Sequence, residues 1–180
     1  MRILERLAIV VAALALAITI IALLSGGLLA GRDNPGISGA GAMLGVAYKD
    51  LGHAHLRPGQ PHPRYDSSPP TSGAHVPDPV LRDEAPLSND QLLQALETGD
   101  VVFLYAGPHP PPGLRALAAR LAGPFTPALA ASGQAVVLAP RAGTHGIVAA
   151  AWTRLLTVGS ASDPRLAAFA RAALGQGAAN

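Results

Sequence analysis

Apolar residues run from Leu7 to Leu24 with a single interruption at Thr19. As a helix this stretch spans roughly 27 Å, close to the thickness of a bilayer core. Gly26 to Ala30 extend it, so residues 1–31 read as an N-terminal membrane anchor, with residues 7–30 in contact with the lipid. A cleaved signal peptide is the rival reading, with Ala40-Gly41-Ala42 as its small-residue cleavage site. Signal cores usually run about 7–15 residues, and the greater length here favours an uncleaved transmembrane helix. After it the pattern lapses. Residues 32–51 are rich in glycine and small side chains and read as a flexible tether. Residues 52–87 are dense in proline and lack hydrophobic period, which predicts an extended segment, either docked or free.

A folded pattern begins at Ser88. Ser88 and Gln91 have the spacing of a capping box, Leu92, Leu93 and Leu96 follow as an apolar stripe, and Gly99 suits the helix end. Val101–Tyr105 then reads as a buried strand. A stiff Pro108–Pro112 turn leads into a helix carrying Leu114, Leu117, Ala118 and Leu121 on one side, stopped by Gly123-Pro124. A short helix to Ser132 precedes a second strand over Ala135–Leu138. Ile147 to Val158 reads as a third strand, straight or bent, with Trp152 as its largest side chain. Ser162-Asp163-Pro164 caps a last helix with Leu166, Phe169, Ala170 and Ala173 facing inward. The predicted class is α+β (or α/β), a small mixed sheet covered by helices. The first two strands suit a parallel crossover, and the two later strands an antiparallel pairing. Residues 52–175 thus make one domain, with 88–175 its compact part and 176–180 a tail.

Composition refines this picture. Hydrophobic residues are 49% of the chain but aromatics only 4%, so the core is built of Leu, Val and Ala. The net charge of +2 is concentrated at the N-terminus, in Arg2, Arg6 and Arg32 against Glu5. From Asp33 onward ten basic residues face ten acidic ones, so no basic patch for nucleic acid is expected. Arg2 and Arg6 predict a cytoplasmic N-terminus and a main domain outside the membrane. No cysteine is present, which excludes disulfides and thiolate metal sites.

The candidate chemistry lies in histidine. Four of six histidines, His53, His55, His62 and His75, fall between residues 53 and 75. In an extended segment, His53-Ala54-His55 places both imidazoles on one face. His75 then supplies a third nitrogen for zinc or copper, against the alternative of solvated loop histidines. Ser72 lies near His75 but in a proline-rich turn without a nucleophile elbow, so its hydroxyl is expected to satisfy a turn. Asp78, Asp83 and Glu84 read as a solvated acidic patch, His109 and His145 as exposed, and Trp152 as core.

The run Pro69-Pro70-Thr71-Ser72-Gly73-Ala74-His75, with His55 upstream and an N-terminal anchor, resembles one bacterial family, domain of unknown function 3105. Its members read Pro-Pro-Thr-Ser-Gly-x-His, then His-x-Leu-Glu-His-Gly-x-Val, then Ala-Trp. This chain has Leu96-Glu97-Thr98-Gly99-Asp100-Val101 and Ala151-Trp152 at the later signatures. Gln94 and Thr98 stand where the family pattern has histidines, which implies a site lost or weakened in this member. The family's clustered histidines look like a metal site. The resemblance therefore implies a set of His55, His75 and Glu97, with His53 or His62 as substitutes. The reading favoured on sequence is a non-catalytic, single-pass protein of the bacterial cytoplasmic membrane whose outer domain binds a protein partner or plays a structural role. The alternative is a transition-metal domain with His53, His55 and His75 as ligands and Glu97 as fourth ligand or supporting group.

Overall fold

A computed structural model describes residues 44–179 of the chain. Among these residues no helix is long and apolar enough to cross a membrane, and the segment read as an anchor lies outside them. The elements in chain order are β1 (Val46–Ala47), α1 (Asn89–Thr98), β2 (Val101–Tyr105), α2 (Leu114–Ala122), α3 (Pro127–Ala131), β3 (Val136–Pro140), β4 (Ile147–Ala151), β5 (Arg154–Val158) and α4 (Pro164–Ala173).

One mixed five-stranded sheet has the order β1-β5-β4-β2-β3. β2 and β3 are parallel, with Phe103 opposite Leu138, and every other pairing is antiparallel. β2 is buried along its whole length, as its continuous apolar run requires. Its side chains alternate between two cores. Val101, Phe103 and Tyr105 meet α2 and α4, through Leu114, Leu117, Leu166 and Phe169. Val102 and Leu104 meet α1 and α3, through Leu92, Leu96 and Ala130. Period two in the strands and period 3.6 in the helices therefore divide one apolar inventory between two faces.

The helix boundaries follow from their caps. Ser88 Oγ accepts from Gln91 N, and the Gln91 side chain accepts from Ser88 N, which closes the predicted box. Asp163 caps α4 with Pro164 at its first position. Thr126 caps α3 in the same manner, its hydroxyl accepting from Leu129 N.

Four expectations are corrected. Ile147 to Val158 is not one strand but a hairpin, turned at Trp152-Thr153, with Ala151 opposite Arg154. Thr153 adopts a positive φ of 58°, a conformation more usual for glycine or asparagine, so no residue type announced the turn. The two later strands of the sequence reading do not pair either. β4 lies against β2, not β3. The outer edge of β3 is taken by the proline-rich segment: Leu138 N donates to Asp83 Oδ1 at 2.7 Å, and Glu84 N donates to Leu138 O at 2.8 Å. Asp83 and Glu84 are thus docking residues, not a solvated patch, and Glu84 also pairs with Arg115. The end of the stretch read as tether enters the sheet as β1, against β5.

Candidate functional site

The proline-rich segment is docked on the α1 face of the domain, and its docking places the histidines. Pro69, Pro70, Thr71 and Ser72 are all buried. Thr71 O accepts from Thr153 N at the hairpin tip. Ser72 Oγ accepts from Leu51 N at 3.0 Å and donates to Lys49 O at 3.1 Å, so this hydroxyl joins two stretches of chain and has no free role as a nucleophile. Gly73 has φ 118°, and a Cβ there would meet the Tyr65 ring at 3.0 Å. Glycine is therefore required at the bend immediately before His75.

Beyond that bend, His75 N donates to Ala54 O and Leu56 N donates to His75 O, a parallel bridge that sets His55 beside His75. Their rings meet edge to face at 5.5 Å. His53 lies one alternation earlier, as its spacing predicts, and its ring packs edge-on against Trp152 at 6.4 Å. Trp152 is buried as expected, and its Nε1 donates to Asp50 Oδ2 at 3.2 Å.

Glu97 comes from the last turn of α1, beside the buried Leu96. Its backbone oxygen accepts from Ala178 N, so the tail residues hold the end of this helix. Its carboxylate receives all three histidines. His75 Nε2 is 3.0 Å and His55 Nε2 3.1 Å from Oε2, and His53 Nδ1 is 3.2 Å from Oε1. One ligand atom each from His55, His75 and Glu97 lie within 4.8 Å of one another. His62 does not join them; its Nε2 is 2.8 Å from Asp90 Oδ1, at the start of α1. Gln94 and Thr98 are not in the cluster either. Both line a separate groove on the neighbouring face of α1.

His75 is the member with the fewest alternatives. Its side chain is 0% exposed. Its Nδ1 is 3.0 Å from Gly73 O, and a carbonyl oxygen only accepts, so Nδ1 carries a proton. In the neutral ring Nε2 is then a bare lone pair, and it has no hydrogen-bond partner despite its closeness to Glu97. Two acceptors facing each other at 3.0 Å repel unless a cation or a proton lies between them. Fixing a histidine's remote N–H on a backbone carbonyl is also how metal-ligating imidazoles are oriented.

Sequence reasoning missed Asp50, which anchors Trp152, and Asp90, which holds both His62 and Val76 N. Neither has a motif; both are acceptors defined only by what the fold brings to them.

No curated protein and no solved structure matches this chain. A family model does, that of a protein of unknown function (DUF3105), over residues 58–179. The match takes in His75 and Glu97 and begins after His53 and His55. It spans most of the chain, which therefore belongs to the DUF3105 family.

Proposed function

We propose that this domain binds a transition-metal ion, zinc or copper, through His55, His75 and Glu97, with His53 as a further donor. The observation that carries the reading is the buried, unpartnered Nε2 of His75 facing the Glu97 carboxylate. Imidazole and carboxylate donors suit zinc, and imidazole suits copper. A tetrahedral zinc with bonds of about 2.0–2.1 Å places its ligand atoms roughly 3.3 Å apart; Glu97 already lies 3.0 and 3.1 Å from His75 and His55, and the whole set lies within 4.8 Å. Three ligands leave such an ion one position, for His53 or for water. The same proposal puts the site on a bacterial membrane-anchored protein, outside the cytoplasmic membrane; the apolar run of residues 7–24 behind Arg2 and Arg6 supports that location.

A purely structural or partner-binding role is the second reading, since the histidines also join residues 53–75 to α1. Docking, however, already has the buried Ser72 hydroxyl, the Thr71–Thr153 bond and the Trp152–Asp50 bond. The test is titration of full-length, chelator-stripped protein with zinc and with copper(II), beside His75→Ala and Glu97→Ala. One equivalent should bind to the wild type, and at least about tenfold more weakly to each variant, a loss of roughly 1.4 kcal/mol or more. If all three proteins take up equally little metal, the structural role stands and the metal reading fails.

A further inference from the structure

A groove of about 620 Å³ lies between α1, α3 and the docked segment. Pro79, Val80 and Leu81 form one wall, Ala95 the floor, and Ala128 and Ala131 the other wall. This size falls within the range of small-molecule sites. Leu81, at its edge, is 64% exposed, an unusual setting for a leucine beside an apolar hollow. The groove is not uniformly apolar, for Gln94 and Asp100 also line it. Gln94 Oε1 is buried and has no hydrogen-bond partner. Asp100 is 1% exposed; its Oδ1 accepts from Ala135 N at 2.8 Å, while its Oδ2 is buried and unpartnered. Among the described residues no cation offsets this carboxyl, which burial pushes up and the Ala135 bond opposes. Thr98 offers these acceptors no donor, because its hydroxyl is committed to Gln94 O and Ala95 O.

Two buried polar oxygens are left without a protein partner, and the apolar residues beside them offer none. We propose that the groove binds a small organic amine, its apolar body against the wall and its N–H groups donating to Gln94 and Asp100. A cationic nitrogen donates to Gln94 Oε1 and to the ionised form of Asp100, which it favours by charge. The inference is independent of the metal site, because Glu97 faces the histidines and the groove uses the adjoining face of α1.

The experiment is ligand-observed NMR and calorimetry on the full-length protein with n-hexylamine, n-hexanol and n-hexanoate, each with and without chelator. Hexylamine should bind best and hexanoate least, unaffected by chelator. Asp100→Asn keeps an acceptor for Ala135 N but replaces the free oxygen by a donor, and should weaken hexylamine by roughly fivefold or more. Gln94→Leu, a change on a half-exposed helix face, should weaken it in the same direction and decides the matter if Asp100→Asn does not fold. Equal binding of the three compounds, no binding of hexylamine, or unchanged affinity in the folded variants would overturn the proposal.

Discussion

At the scale of single residues, two backbone details orient His75 and one carboxyl outside the metal site carries a pH dependence. The His75 ring is oriented by Gly73 twice over, through the carbonyl that takes its Nδ1 proton and through the positive φ that turns the chain. Gly73→Ala adds a Cβ against the Tyr65 ring in a conformation that L side chains rarely adopt. It should destabilise the protein by about 1–3 kcal/mol and weaken metal uptake as well, measured by urea unfolding and by titration. Asp100 makes a separate prediction. Burial raises its carboxyl from the ordinary 3.8 to about 7, so the folded protein holds a proton that the unfolded chain releases. Its contribution to stability is complete below the unfolded value, declines as pH rises between 3.8 and about 7, and is flat above. Asp100→Asn should remove that decline, so unfolding midpoints of variant and wild type should diverge in the variant's favour as pH rises through this window. Parallel curves would show that the carboxyl does not titrate with folding.

Among elements, α1 has the greatest consequence, because one face fills the core, another bears Glu97 and a third lines the groove. Its start depends on the reciprocal bonds of Ser88 and Gln91. Ser88→Ala should cost about 1 kcal/mol in unfolding free energy, without abolishing metal uptake, since Glu97 sits at the opposite end. This helix was legible in the sequence to the residue, as was β2, and α4 was legible in its start and its inward face, because cap chemistry and apolar period agree there. The β4–β5 hairpin was not legible. No glycine, proline, asparagine or aspartate separates its strands, and the turn falls on Trp152 and Thr153, neither a residue type that signals turns. The edge of β3 was hidden for a different reason: Asp83 and Glu84 reach it from more than 50 residues away, as the bond from Leu138 N shows. Such a contact has no local pattern to betray it.

For the whole molecule, the proline-rich segment is the part whose meaning changed most. Its composition left docked and free states equally open, since proline and glycine fix local backbone but say nothing about partners. The fold resolves this by joining Thr71 to the hairpin turn at Thr153 and Ser72 to Lys49 and Leu51 at the start of the domain. His55, His75 and Glu97, read as a set from the resemblance, do converge. His53 reaches the same carboxylate, whereas His62 turns to Asp90. Gln94 and Thr98, which on sequence alone suggested a lost half of the site, leave the Glu97 cluster intact and shape a different surface. What the sequence lacked was distance: no spacing rule brings residue 97 to residues 53, 55 and 75, and only the packing of α1 on the sheet does so. Crystals of the full chain grown with zinc, measured above and below the zinc absorption edge, would locate the ion itself. The account predicts one anomalous peak about 2.0–2.2 Å from His55 Nε2, His75 Nε2 and a Glu97 oxygen. Crystals saturated with zinc whose density shows His75 Nε2 and Glu97 unchanged, with no peak between them, would contradict it.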